Sequence, residues 1–230
     1  MRIAIIDGNY LTYRSYYANV NWYDNEDMCA VYGFKKALET IKKNLHLEKI
    51  VVTFDCPGES HRKKLDENYK GNRPEMPQEI QKQIVIIKNM LEDMHIPQYE
   101  KAGVEADDII GILCSKLKDR CEHIYVVTAD KDMCQLIDDK VSIFKYIKKK
   151  WRICDSKYVE ERYGIKPNQF RDYLAIVGDV ADNIPKAIPK VGPKTAAKLL
   201  KKYKRLENLP MYNQYKERLD LNKKLVTIRR

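Results

Sequence analysis

The chain has 230 residues, a length that suits one main domain with a smaller appendage. Its 43 lysines and arginines against 33 aspartates and glutamates give a formal net charge of +10. The excess is uneven: residues 141–230 carry 23 basic and 9 acidic side chains, net +14, which leaves −4 for residues 1–140. No apolar run reaches the roughly 18 residues of a membrane span, and a charge interrupts the N-terminus too early for a signal peptide. A soluble, cytoplasmic protein with a polyanionic partner, nucleic acid or a membrane surface, is expected. The six cysteines form no Cys-x-x-Cys pair and are read as reduced, structural thiols.

In chain order, the first apolar run, residues 3–6, is β-branched and ends in Ile-Ile-Asp7-Gly8-Asn9. It is too short for a helix and predicts a strand. Arg14 and Tyr10, Tyr13, Tyr16 and Tyr17 follow on a helical stretch, where core packing accounts for most of the tyrosines. A helix is predicted over 31–44, then a second strand over 50–54 that ends in Asp55. The basic segment His61-Arg62-Lys63-Lys64 runs on to Tyr69-Lys70-Gly-Asn-Arg73, within an overhanging segment of about 58–76. Pro74 and Pro77 precede a helix over 77–94. Another is predicted over 105–118, with Glu105, Asp107 and Asp108 in its first turn. The third strand, 124–127, leads into Asp130-Lys-Asp132. Beyond about residue 155 only helices are predicted, over 156–163, 167–177 and 194–203. The reading is an α/β domain over 1–154 and a helical module over 155–230.

Continuous rather than alternating apolarity marks strands buried on both faces, hence a mainly parallel sheet covered by helices. In such a sheet the carboxyl edges of the strands lie together and ligands bind in the crevice there. Asp is a common turn residue, so any one of these aspartates is unremarkable alone. Three strands each delivering one is informative. With Glu105, Asp107 and Asp108, and with Asp179 and Asp182 of Gly178-Asp179-Val-Ala-Asp182, the set is Asp7, Asp55, Glu105, Asp107, Asp108, Asp130, Asp132, Asp179 and Asp182. All-oxygen donors select hard cations such as Mg²⁺ or Mn²⁺. So many acids suit two ions about 4 Å apart, the arrangement that clamps a phosphoryl displacement. The glycine signatures of P-loop and dinucleotide enzymes are missing, as is a serine-hydrolase elbow.

The turn Pro189-Lys190-Val-Gly192-Pro193-Lys194-Thr195 looks like a helix-hairpin-helix element, within 178–203, that offers backbone N–H groups to a phosphate. Lys190, Lys194 and Lys198 add charge there. Arg62 and Tyr69 fit a segment that grips a strand by charge and stacking.

Taken together, Ile5-Ile-Asp7-Gly-Asn, Phe54-Asp55, Tyr69-Lys70-Gly-Asn-Arg73, Glu105-Ala-Asp107-Asp108, Thr128-Ala-Asp130-Lys-Asp132, Gly178-Asp179-Val-Ala-Asp182 and Gly192-Pro-Lys-Thr resemble the 5′ nuclease family. That family includes the 5′→3′ exonuclease domain of bacterial DNA polymerase I, phage 5′ exonucleases and flap endonucleases. The resemblance implies a PIN-like fold, two Mg²⁺ ions that Mn²⁺ can replace, and 5′→3′ exonuclease and flap endonuclease activity on DNA with 5′ ends, flaps or junctions, RNA/DNA hybrids included. It places Asp7, Asp55, Glu105 and Asp107 at the first metal, with Asp108 nearby, and Asp130, Asp132, Asp179 and Asp182 at the second. It gives Lys70 and Arg73 the scissile phosphate, and Arg14 and Arg62 further phosphate contacts. It also implies a K⁺ ion at the turn, although this chain lacks two of the glycines usual there and has one extra residue. A monomer acting in a bacterial or phage-infected cell is expected, either a short stand-alone member or a piece of a longer chain. Two other readings stay open: a non-catalytic junction-binding protein, and a PIN-type ribonuclease.

Overall fold

Six strands form one sheet in the order β3-β2-β1-β4-β5-β6 in the computed structural model, which describes residues 1–19 and 28–230. They are β1 (Arg2–Asp7), β2 (Lys49–Thr53), β3 (Gln98–Tyr99), β4 (His123–Val127), β5 (Val141–Ile147) and β6 (Lys150–Cys154). All neighbours pair in parallel except β5 and β6, which are antiparallel. The three predicted strands are β1, β2 and β4, and they sit side by side at the centre. The chain order reverses between β1 and β4, so the crevice outside their carboxyl ends is a topological switch point.

Side-chain alternation along β1 explains how the sheet is covered. Ala4 and Ile6 pack into a cluster with α1 (Gly8–Asn19), α2 (Cys29–Leu45) and α4 (Gln78–Asp93). Ile3 and Ile5 face the other way, onto α5 (Ala106–Leu117) and onto the C-terminal helices. These are α6 (Ser156–Tyr163), α7 (Phe170–Val177), α8 (Pro193–Tyr203) and α9 (Lys216–Val226). Phe170, Leu174, Leu200 and Leu225 share one apolar cluster with Ile3 and Ile5. The helical module is therefore packed directly on the sheet.

Sequence reading overlooks β3, β5, β6 and α9. The β5–β6 hairpin is hidden by charge. Lys145 is buried with its ammonium 4.7 Å over the Tyr158 ring, and the two-residue loop is Lys148-Lys149, with φ of 49° and 61°. Such a turn usually takes Asn-Gly, so a lysine run conceals it. All six cysteines are free thiols. No helix among the described residues is long and apolar enough to cross a membrane.

Candidate functional site

The loops at the carboxyl ends of β1, β2 and β4, the start of α5 and the 179–182 turn enclose a crevice of about 760 Å³. Asp7 stands at the junction of β1 and α1. One of its oxygens accepts the Tyr10 N–H at 2.9 Å and the other accepts the Thr128 hydroxyl at 3.0 Å. Gly8 is required there, since any Cβ would overlap the Phe54 ring. Asp55 accepts the N–H of Ala106, the first residue of α5, at 2.8 Å, and its own N–H donates to Asn9 Oδ1 at 3.0 Å. These contacts tie the ends of β1, β2 and β4 to α1 and α5, and the two aspartates satisfy the Tyr10 and Ala106 N–H groups that the helix starts leave open. Asp130 accepts the Asp132 N–H at 2.9 Å, and Asp179 accepts the Ala181 N–H at 3.0 Å.

Seven predicted acids line the crevice: Asp7, Asp55, Glu105, Asp107, Asp130, Asp179 and Asp182. Asp132 lies just behind, and a carboxylate oxygen from each of Asp132, Asp179 and Asp182 falls within 4.8 Å of the others. Asp108 is the exception. It is fully buried and does not line the crevice; it accepts Arg62 Nη2 at 2.9 Å and the Arg229 N–H at 2.9 Å. These contacts tie α5 to segment 58–76 and to the C-terminal residues, where the sequence reading expects Asp108 near the first metal.

Segment 58–76 contributes α3 (His61–Leu65) and the turns that follow. It folds down onto the site. Lys70 pairs with Glu105 and Arg73 with Asp182, while the Lys70 N–H donates to the Asp182 carbonyl at 2.9 Å. Arg62, expected at a phosphate, is instead only 1% exposed. Its guanidinium donates to the carbonyls of Leu225 (2.8 Å) and Thr227 (3.0 Å) and to Asp107 (3.3 Å), and lies 3.3 Å from Glu105. Tyr69, expected to stack on a base, is buried, with its hydroxyl 3.1 Å from Asp182 and 3.2 Å from Glu105. Neither side chain is accessible to a strand. His61 has Nδ1 3.6 Å from Asp108.

Arg14 lies 4.1 Å over the Tyr146 ring and 5.0 Å over that of Trp151. Lys190, Lys194, Thr195 and Lys198 are exposed at the turn between α7 and α8, and Gly192 is half-buried with open space where a Cβ would stand. Lys190 has φ of 63°, a left-handed conformation that a glycine would take more easily. Three supporting residues had no role in the sequence reading: Thr128, Asn9 and Lys131, whose ammonium is 2.9 Å from Asp179. Their signal was adjacency to the strand-end aspartates.

The electrostatics follow from crowding buried acids. Burial, with Asp55 and Asp130 nearby, pushes Asp7 up to about 7. Burial also lifts Asp107 to about 7, with Glu105 and Asp108 adding to the rise and Arg62 opposing it. Asp132 is raised well above the ordinary carboxylate value by burial and then by Asp130, Asp179 and Asp182. Burial acts the same way on Glu105, but Lys70 and Arg62 outweigh it and hold it at about 2.

A parallel sheet that gathers this many carboxylates at its switch point, under a bridge of lysine and arginine, is the frame of a phosphodiester-cleaving nuclease. Two family models match the chain: "5′-3′ exonuclease, N-terminal resolvase-like domain" over residues 2–164 and "5′-3′ exonuclease, C-terminal SAM fold" over 165–230. The chain belongs to the 5′-3′ exonuclease family. The 5′-3′ exonuclease of Buchnera aphidicola subsp. Schizaphis graminum is 40% identical over 210 residues, covering 90% of this chain and 72% of that protein. The thermostable DNA polymerase I of Thermus thermophilus is 33% identical over 210 residues, covering 90% of this chain and 25% of the polymerase. The fold is similar to that of the bacteriophage T5 D15 flap endonuclease, solved as a pseudo-enzyme–product complex with DNA and metal ions. That match has a TM-score of 0.75 at 20% identity and covers 98% of this chain and 86% of that one.

Proposed function

We propose that the protein is a Mg²⁺-dependent 5′→3′ exodeoxyribonuclease that also cuts 5′ flaps, with Mn²⁺ able to replace Mg²⁺. The observation that carries this is the crevice: seven carboxylates with Lys70, Arg73 and Lys131 around them. The donor set fits hard divalent cations. Every ligand atom is a carboxylate oxygen, buried like charges raise Asp7, Asp107 and Asp132, and Asp132 Oδ1 is buried with no hydrogen-bond partner. Asp7, Asp55, Glu105 and Asp107 would hold one ion, and Asp130, Asp132, Asp179 and Asp182 the other. Bound there, the ions would supply charge neutralisation at the phosphate and a water acidic enough to attack it.

The chain's own residues do the rest. Lys70 and Arg73 reach the crevice from above, and their cationic donors would offset charge developing on the phosphate oxygens. Thr128 and Asn9 fix Asp7 and the Asp55 backbone, so the acids are preorganised before substrate arrives. Lys190, Lys194, Thr195 and Lys198, with the Gly192 backbone, would grip duplex phosphates at the α7–α8 turn. Because Lys190 takes the left-handed conformation without a glycine, a K⁺ ion at the turn remains part of this reading, tested by DNA affinity in K⁺ against Na⁺.

The decisive assay uses 5′-labelled duplex and flap DNA with Mg²⁺, Mn²⁺ or EDTA. Short products from the 5′ end are expected, lost in EDTA and in Asp7→Ala and Asp130→Ala. Metal-dependent products absent from the natural chain, or unchanged in those variants, would reject the assignment. RNA versions of the flap distinguish a ribonuclease, and light scattering checks the expected monomer.

A further inference from the structure

A second cavity is larger than the crevice. It has a volume of about 1160 Å³ and lies in the helical module, between α6, the turn at 166–169, the end of α8 and residues 204–207. Its acids are mostly answered from within. Lys223 pairs with Asp172 at 2.9 Å and with Glu207 at 2.6 Å, and Lys157 approaches Glu161 at 3.9 Å. Five exposed cations in the lining, Lys166, Arg171, Lys201, Lys204 and Arg205, make no ion pair among the described residues. Glu160 is the one lining acid left without an ion pair, so the cavity carries a clear uncompensated positive charge. The wall that presents it is built. The Gln169 amide donates to the carbonyls of Leu200 (2.9 Å) and Lys204 (3.0 Å), closing the end of α8 onto the 166–169 turn.

We propose that this cavity is a second phosphate-binding site, which takes the backbone of the same DNA that the α7–α8 turn holds. Three observations select a nucleic-acid backbone as the ligand. The lining contains no aromatic ring and Ile165 as its one large aliphatic side chain, so a base finds nothing to stack on. The volume exceeds that of a typical small-molecule pocket, and those are mostly apolar. The cavity also ends a continuous basic stripe. Lys194, Lys198 and Lys201 recur at helical spacing on the exposed face of α8, opposite the buried Ala196, Ala197 and Leu200, and Arg205 continues the row just past the helix. From Lys194 to Lys201 the helical part of the stripe spans about 10 Å at 1.5 Å per residue. That length matches roughly three phosphates of one strand at about 3.4 Å each. The inference rests on the nuclease reading and extends its DNA contact away from the turn.

The test is DNA affinity against salt, measured in EDTA so that nothing is cut. The natural chain is compared with Lys201→Gln/Arg205→Gln and with a control, Lys35→Gln/Lys36→Gln, which removes the same charge from exposed positions on α2. Two lost phosphate contacts should lower the slope of log affinity against log salt by about 1.8. The control slope should stay unchanged, and so should the cleavage rate at saturating DNA with Mg²⁺. An unchanged slope in the cavity variant, or an equal fall in the control, would overturn the second site while natural-chain binding and cutting kept the nuclease reading intact. Natural chain that neither binds nor cuts would overturn both. Inorganic tripolyphosphate, titrated by calorimetry, separates the other source of the same chemistry: tight binding that the double variant abolishes, without a change in DNA slope, would assign the cavity to a free polyphosphate instead.

Discussion

Replacing Arg62 by Met should cost the protein more stability than any other single change in segment 58–76. The guanidinium is 1% exposed. It donates to two carbonyls of the C-terminal segment, Leu225 and Thr227, and sits against Glu105, Asp107 and Asp108. Methionine fills much of the volume but takes the guanidinium from Asp107, Asp108 and two carbonyls, while Glu105 keeps only Lys70. Breaking a buried charge pair from one side costs about 3–5 kcal/mol, because the remaining charge stays buried. At about 2–4 °C per kcal/mol for a chain of this size, the melting temperature should fall by roughly 10 °C. Lysine keeps the charge but not the planar fork of donors, so Arg62→Lys should lose about half as much. Asp108→Asn added to Arg62→Met should recover part of the loss, since the acid with no route to solvent is then neutral. The assay is thermal unfolding of the metal-free protein at neutral pH, followed by circular dichroism. A loss below about 1 kcal/mol, or equal losses for Met and Lys, would refute the view that Arg62 ties the α5 acids to the C-terminus through its geometry.

Metal-free stability should rise as pH falls from 8 to about 5. Asp7 and Asp107 have folded values of about 7, above the unfolded value, so the folded state takes up protons first and gains on the order of 2 kcal/mol per group. Urea titrations across that range in EDTA should show the rise; stability that is flat or that increases with pH would contradict it. Lys148→Asn/Lys149→Gly should stabilise the β5–β6 hairpin by about 1 kcal/mol, because both positions have positive φ and that turn favours Asn-Gly. A lower melting temperature would argue against this. Gly111→Ala should detach residues 228–230, since a Cβ at Gly111 overlaps the Arg229 carbonyl and the Ile228 side chain. Faster proteolysis of the C-terminus is the readout, and unchanged protection would show that the packing can give.

The fold and most of the crevice were legible because they rest on repeated local patterns. Central strands in a parallel sheet must be apolar on both faces, and three of them end on an aspartate. Those features survive without tertiary context. The parts that escaped depend on where one member of a charged run points. In His61-Arg62-Lys63-Lys64-Leu65, Arg62 is buried while Leu65 is 44% exposed, the reverse of what hydropathy selects. Only the arrival of α5 acids and C-terminal carbonyls at one spot makes that inversion favourable, and no spacing encodes it.

The same contact changes how the acids are apportioned. Sequence chemistry assigns nine carboxylates to two ions because unpaired like charges repel. In the folded chain Arg62 answers Asp108, Lys70 answers Glu105, Arg73 answers Asp182 and Lys131 answers Asp179. Asp7, Asp55, Asp130 and Asp132 make no ion pair among the described residues, and Asp107 has only a share of Arg62 at 3.3 Å. The protein therefore neutralises about half of the set with its own cations. The unanswered half sits nearest the strand ends, where the proposed divalent ions would have the most to gain.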